Sequence, residues 1–137
     1  MTDFTYALDA DGVATITWDV KSKSMNVLNL EATADLNRLI DQAIADEAVK
    51  GVILTSGKKD FAGGMDLNII ARMKESGGDD PARGLFEGIR NFHRLERKME
   101  LMGRDLKTGK GGKPIVAALP GTALGIGLEL PLSCQRI

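Results

Sequence analysis

The sequence predicts a single α/β domain, from three observations: an opening pair of β-rich runs, an amphipathic helix that leads into a short apolar strand, and two strand ends that each open into a glycine-bearing turn and a helix. At 137 residues, 43% hydrophobic and 27% charged, the chain carries enough apolar surface to bury one proper core.

Residues 4–10 (FTYALDA) and 13–19 (VATITWD) are the β-rich runs, and Asp11-Gly12 between them is a hairpin signal. Over residues 30–47, Leu36, Leu39, Ile40, Ala43 and Ile44 fall on one helical stripe, with Asn29 placed to cap it. GVILTS at 51–56 is a short continuous apolar run that reads as a buried parallel strand. A short helix is expected over 66–75. The breaker cluster SGGDDP follows, with Asp80 and Pro81 suited to the cap and first position of a longer helix. Leu85, Phe86, Ile89, Phe92, Leu95, Met99 and Met102 keep helical spacing to about residue 103. KTGKGGKP is expected to be a loop, its GKGGK stretch at 109–113 most simply solvated and flexible, though its lysines could meet phosphates of a bound ligand. PIVAAL at 114–119 is a second buried strand, PGTALGIG a glycine-rich turn, and LELPLSC a second short helix. SCQRI ends the chain where another strand starts, so the expectation is a chain that stops inside a larger fold.

Composition removes several function classes. A net charge of −1 supplies no basic field for nucleic acid or an anionic membrane surface. The single cysteine, Cys134, cannot form an internal disulfide, and MTDFTYALDADG has none of the features of a signal peptide. A cytoplasmic location is the expectation. Apolar runs such as IVAAL fall well short of the ~20 residues a membrane span needs. One histidine and one cysteine do not make a zinc ligand set, so no metal is expected. His93 reads as a helix residue, Cys134 as a small buried residue, Trp18 as packing at the hairpin, and most methionines as core filling.

The two glycine turns carry the chemistry. Strand ends that open into a tight turn and a helix can aim backbone N–H groups at one point, which makes an anion site. Two converging N–H groups would stabilise charge developing on a thioester oxygen. Glu129 stands two residues after Gly127 in a mostly apolar segment. It either favours a helix start and faces water, or performs acid/base work. Neither turn matches a dinucleotide fingerprint or a phosphate loop.

FAGGMDL resembles the pattern F-x-x-G-x-D-[IL], and GTALGIGLEL resembles N-G-x-A-x-G-G-G-x-E-L, the two signature elements of the crotonase (enoyl-CoA hydratase/isomerase) family. GKPIVAAL and MNVLN are similar to two further family segments, in the same order. The resemblance implies a crotonase-like spiral of β-β-α units, incomplete at the C-terminus, with residues 1–137 forming the N-terminal portion of one domain. It places the oxyanion hole at the backbone N–H groups of Met65 and Ile126, which differ in type from the family residues although a backbone donor does not depend on side-chain identity. It places the first catalytic glutamate at Glu129, with the second beyond Ile137. It places substrate-binding positions at Lys23, Ser24, Met25, Gly63, Asp66 and Leu67. Asp66 either caps the short helix, or shapes the CoA loop, or does both. Pro131 departs from the family's small residue and removes one helix hydrogen bond.

The activity so implied is addition of water across a 2-enoyl-CoA double bond in fatty-acid β-oxidation. The alternatives are an isomerase using one glutamate and a noncatalytic acyl-CoA-binding or assembly module. MNVLN and the second element most resemble the front of multifunctional fatty-acid oxidation α subunits. That implies an acyl-CoA substrate, no cofactor in this segment, NAD only if a dehydrogenase domain follows, and a homo-oligomer or thiolase-containing complex.

Overall fold

The computed structural model describes residues 2–137. Four strands form one sheet in the order β1 (Phe4–Leu8), β2 (Val13–Trp18), β3 (Gly51–Ser56), β4 (Ile115–Ala118). β1 and β2 pair antiparallel, Phe4 opposite Trp18. β2–β3 and β3–β4 are parallel. Parallel neighbours require a crossover. The first is α1 (Leu30–Ala45), and the second contains α2 (Asn68–Ser76) and α3 (Pro81–Leu101). A last helix, α4 (Ile126–Leu132), follows β4.

The expected hairpin is present with a longer connection than Asp11-Gly12 alone. Asp9 accepts from the Asp11 and Val13 N–H groups through Oδ1, at 2.9 and 2.8 Å, and so builds the turn from its first residue. α1 begins as its cap predicts, with Asn29 Oδ1 accepting from Ala32 N–H at 2.7 Å. Asp80 does the same for α3, accepting from Arg83 N–H at 3.0 Å, with Pro81 in the first turn.

β2 and β3 alternate between fully and partly buried positions, so one face of the sheet is sealed and the other half covered. The sealed core joins Ile16, Trp18, Val52, Leu54 and Ile115 to Leu36, Leu39 and Ile40 of α1 and to Phe92, Leu95 and Met99 of α3. Trp18 has no exposed surface. It stacks on Phe4 with centroids 5.3 Å apart and meets Phe61 edge-on at 6.0 Å.

Two expectations need correction. The apolar stripe of α3 is core only in its second half: Phe86 and Ile89 are 59% and 47% exposed. In the first half α3 meets α2 through glycines instead. A Cβ at Gly84 would lie 2.1 Å from Met73 O, and one at Gly88 2.6 Å from Met73 Cγ, so the contact face is the pair Gly84 and Gly88. KTGKGGKP is the exposed loop expected, with anchors on either side. Asp105 Oδ1 accepts from the N–H groups of Lys107 and Thr108, at 2.9 and 2.7 Å, and Lys113 Nζ donates to the α1-terminal carbonyls of Ala43 and Asp46, at 2.7 and 2.5 Å. The short second helix starts at Asn68 rather than residue 66. Pro131 lies buried in the last turn of α4, where its missing N–H interrupts little. Beyond α4, Gln135 N–H donates to Ile115 O at 3.0 Å and Ala117 N–H to Arg136 O at 2.9 Å, a parallel bridge on the open edge of β4.

Candidate functional site

The sheet delivers both glycine turns to one place. Ala62 and Ala123 form a parallel bridge between the turn after β3 and the turn after β4. Phe61 N–H donates to Thr122 O at 2.8 Å, and Leu124 N–H to Ala62 O at 3.1 Å. Asp60 fastens the pair from outside, its Oδ1 accepting from Thr122 N–H at 2.9 Å. That hydrogen bond, above all, holds the Asp60 carboxyl below the usual carboxylate range.

Met65 and Ile126 each stand three residues beyond the bridged alanines. Leu28 N–H donates to Gly64 O at 2.9 Å and Asp66 N–H to Leu28 O at 2.8 Å. Backbone N–H groups alternate sides along an extended segment, so Met65 N–H points away from Leu28. Ile126 opens α4, and its N–H is among those a helix leaves unpaired at its start. Among the described residues neither group donates to a backbone or side-chain acceptor.

The residue type at Ile126 is no obstacle. The left-handed backbone falls one position earlier, on Gly125, with φ 53° and ψ −131°. Ile126 itself is helical, with its side chain buried. Gly127 allows α4 to settle on the first turn: a Cβ there would lie 2.6 Å from Ala62 Cβ.

Glu129 is in the first turn of α4, three residues after Ile126, and its residue is exposed. The Ile126 side chain, by contrast, is buried. Lys23, Met25, Gly63 and Asp66 are also brought together. Lys23 Nζ pairs with Asp66 Oδ2 at 3.0 Å, Gly63 N–H donates to the neighbouring Asn26 O at 2.8 Å, and the Met25 sulfur lies 3.6 Å from where a Gly63 Cβ would be. Asp66 Oδ1 also accepts from Asn68 N–H at 3.0 Å, so the same carboxylate starts α2 and holds Lys23. These two contacts, the Asn68 one first, lower its proton affinity. Leu67 is 82% exposed, and Ser24 is exposed on the same loop.

Two residues that support this arrangement were not singled out from sequence. Asn26 is wholly buried. Its Oδ1 accepts from Val20 N–H at 2.9 Å, and its Nδ2 reaches Trp18 O, Ser56 Oγ and Phe61 O at 3.0, 2.9 and 2.9 Å. It thereby ties the ends of β2 and β3 to the first turn. Glu96 of α3 carries a buried Oε1 with no hydrogen-bond partner among the described residues, and burial first, then the charge of Glu129, raises its proton affinity. Its signal was legible: a charged residue at i+4 from Phe92 and i−3 from Met99, on the apolar side of the helix. His93 is exposed, and among the described residues no three His, Cys, Asp or Glu side chains gather as a metal site. Half-burial of Cys134 pushes its thiol up to about 12.

Residues 9–137 match the family model described as enoyl-CoA hydratase/isomerase. The chain belongs to that family. Among curated relatives, it is 31% identical over 127 residues to the fatty acid oxidation complex subunit alpha of Shewanella oneidensis, covering 92% of this chain and 16% of that one. Among solved structures, an enoyl-CoA hydratase/isomerase from Xanthobacter autotrophicus is 29% identical with a TM-score of 0.74, covering 98% of this chain and 44% of that chain. A putative enoyl-CoA hydratase/isomerase (crotonase) from Legionella pneumophila shares the fold at a TM-score of 0.79 and 22% identity, covering 100% and 48%. The crotonase-like α/β fold is therefore shown, and the chain spans about one sixth of the curated relative it matches. No helix among the described residues is long and apolar enough to cross a membrane.

Proposed function

We propose that this crotonase-family chain binds an acyl-CoA thioester with its carbonyl oxygen between the N–H groups of Met65 and Ile126, and that Glu129 moves a proton as water adds across the 2-enoyl double bond. The observation that carries this reading is the pair of N–H groups, each without an acceptor, at equivalent places on two juxtaposed turns. Donors already aimed at the position of the developing oxyanion need no reorganisation when charge arrives, which is where such a site gains most of its effect. Lys23 and the loop carrying Ser24, Met25, Gly63, Asp66 and Leu67 would border the CoA portion, with Lys23 positioned by Asp66.

The wider assignment follows from the same reading. It is a role in fatty-acid β-oxidation in the cytoplasm, within a homo-oligomer or a thiolase-containing complex, with NAD used only if a dehydrogenase domain follows. Amide spectra of the chain titrated with a non-hydrolysable acyl-CoA thioether ketone test the binding step: the Met65 and Ile126 N–H signals should move downfield together. In the intact gene product, Glu129→Gln should reduce 2-enoyl-CoA hydration by at least about a hundredfold. Unmoved amides, or unchanged turnover, would overturn the proposal.

A further inference from the structure

A groove of about 480 Å³ runs between α1 and α3, a size within the range of small-molecule sites. Along α3 it extends from Gly88 to Lys98, about 15 Å at 1.5 Å per residue. Leu30 and Ala34 of α1, with Phe92 and Leu95 of α3, make its apolar part. None of Met65, Ile126 and Glu129 lines it, so the groove is separate from the paired glycine turns.

The polar groups of the groove present donors. Lys98 Nζ donates to Asn37 Oδ1 at 2.8 Å, and Arg94 Nη1 to Asn91 Oδ1 at 2.9 Å. Each amide thus commits its oxygen to a cation and keeps its Nδ2 hydrogens for another partner. Lys98 is balanced by Asp41 at 2.7 Å, and on α3 Arg90 pairs with Glu87 and Arg97 with Glu100. Arg94 pairs with no carboxylate among the described residues. The acids on the flank of α1 do not supply one either, since Glu31 pairs with Arg72 and Asp35 with Arg38. The groove is therefore an apolar trough whose polar lining is rich in donors and whose one unbalanced charge is positive. That is the complement of an alkyl chain ending in an anionic head that only accepts hydrogen bonds.

We propose that the α1–α3 groove binds a medium-chain alkyl carboxylate, with the chain along Phe92 and Leu95 and the carboxylate on Arg94, which Asn91 positions. The thioester reading of the glycine turns does not enter this argument.

Amide spectra of the chain titrated with decanoate test the site. Saturable shifts are expected at Ala34, Asn91 and Leu95, with Met65 and Ile126 unmoved. Decanol and decyltrimethylammonium carry the same chain on a neutral or cationic head and should bind at least about tenfold more weakly. Arg94→Gln should weaken decanoate about tenfold, the loss of one charge-assisted contact. Arg94 and Ala34 are exposed, so Arg94→Gln and the groove-filling Ala34→Trp are both expected to fold, and the second should abolish the shifts at Asn91 and Leu95. Absence of saturable binding, equal affinity for decanol, or an affinity indifferent to Arg94→Gln would overturn the proposal. So would shifts confined to Met65 and Ile126. The response of those two amides to the thioether ketone is a separate readout, so either proposal can fail while the other stands.

Discussion

Gly127 packs directly against Ala62: a Cβ on Gly127 would lie 2.6 Å from Ala62 Cβ, well inside any contact two carbon atoms tolerate. This approach lets α4 sit on the turn after β3, the turn that leads to Met65. Gly127→Ala is expected to cost about 1–3 kcal/mol in chemical unfolding, because backbone must shift to admit one methyl group. Adding Ala62→Gly should recover part of that loss. A Gly127→Ala chain as stable as its parent, or no recovery in the double variant, would show that the two turns are not in contact.

Asn26 gives a second prediction. It satisfies a backbone donor at Val20 and faces three acceptors at Trp18, Ser56 and Phe61 from a site with no solvent exposure. Asn26→Ala leaves those groups unpaired and should destabilise the chain by about 2–4 kcal/mol. Amide hydrogen exchange should show the loss of protection at Val20 N–H first.

Acid stability should depend on Asp60. The Thr122 N–H holds its folded-state proton affinity below that of the unfolded chain. A depressed carboxylate contributes stability that is present above its unfolded pKa and is lost as the pH falls through the folded one. Asp60→Ala should therefore be clearly destabilised at pH 7, and its difference from the parent should shrink as the pH approaches 2. Denaturant midpoints of both chains at the two pH values check this.

Lys113 is predicted to hold the end of α1. Its ammonium caps the carbonyls of Ala43 and Asp46, and Lys113→Met keeps the stem while removing the donor. The expected loss is about 1–2 kcal/mol by thermal unfolding. Lys110→Met, in the same glycine-rich segment, should be nearly neutral.

Cys134 should resist alkylation. With its thiol raised from 9.0 to about 12, the thiolate fraction at pH 8 falls roughly a thousandfold, and partial burial slows access further. Modification by iodoacetamide should follow the rate of unfolding rather than reagent concentration.

Much of this molecule was legible in the sequence because local rules and tertiary packing agree there. Asn29 and Asp80 cap helices that their following residues already favour, and the spacing of Leu36, Leu39 and Ile40 already commits one face of α1 to a core. The two glycine motifs, taken with their flanking segments, were enough to place the chain in its family. The sequence could also mark Met65, Ile126 and Glu129 as candidates, since motif positions travel with the turns that carry them.

What only the tertiary structure decided depends on partners far apart in the chain. Phe86 and Ile89 have helical spacing as good as that of Phe92 and Leu95, yet they are exposed because α2 meets α3 through Gly84 and Gly88. Lys113 looked like part of a solvated loop until α1 brought two open carbonyls to it. The Ala62–Ala123 bridge joins the turns that lead to Met65 and Ile126, which lie far apart in the chain. Periodicity records which side of an element is apolar, but the neighbour that covers that side, and the polar atom left without one, is settled only when distant segments pack together.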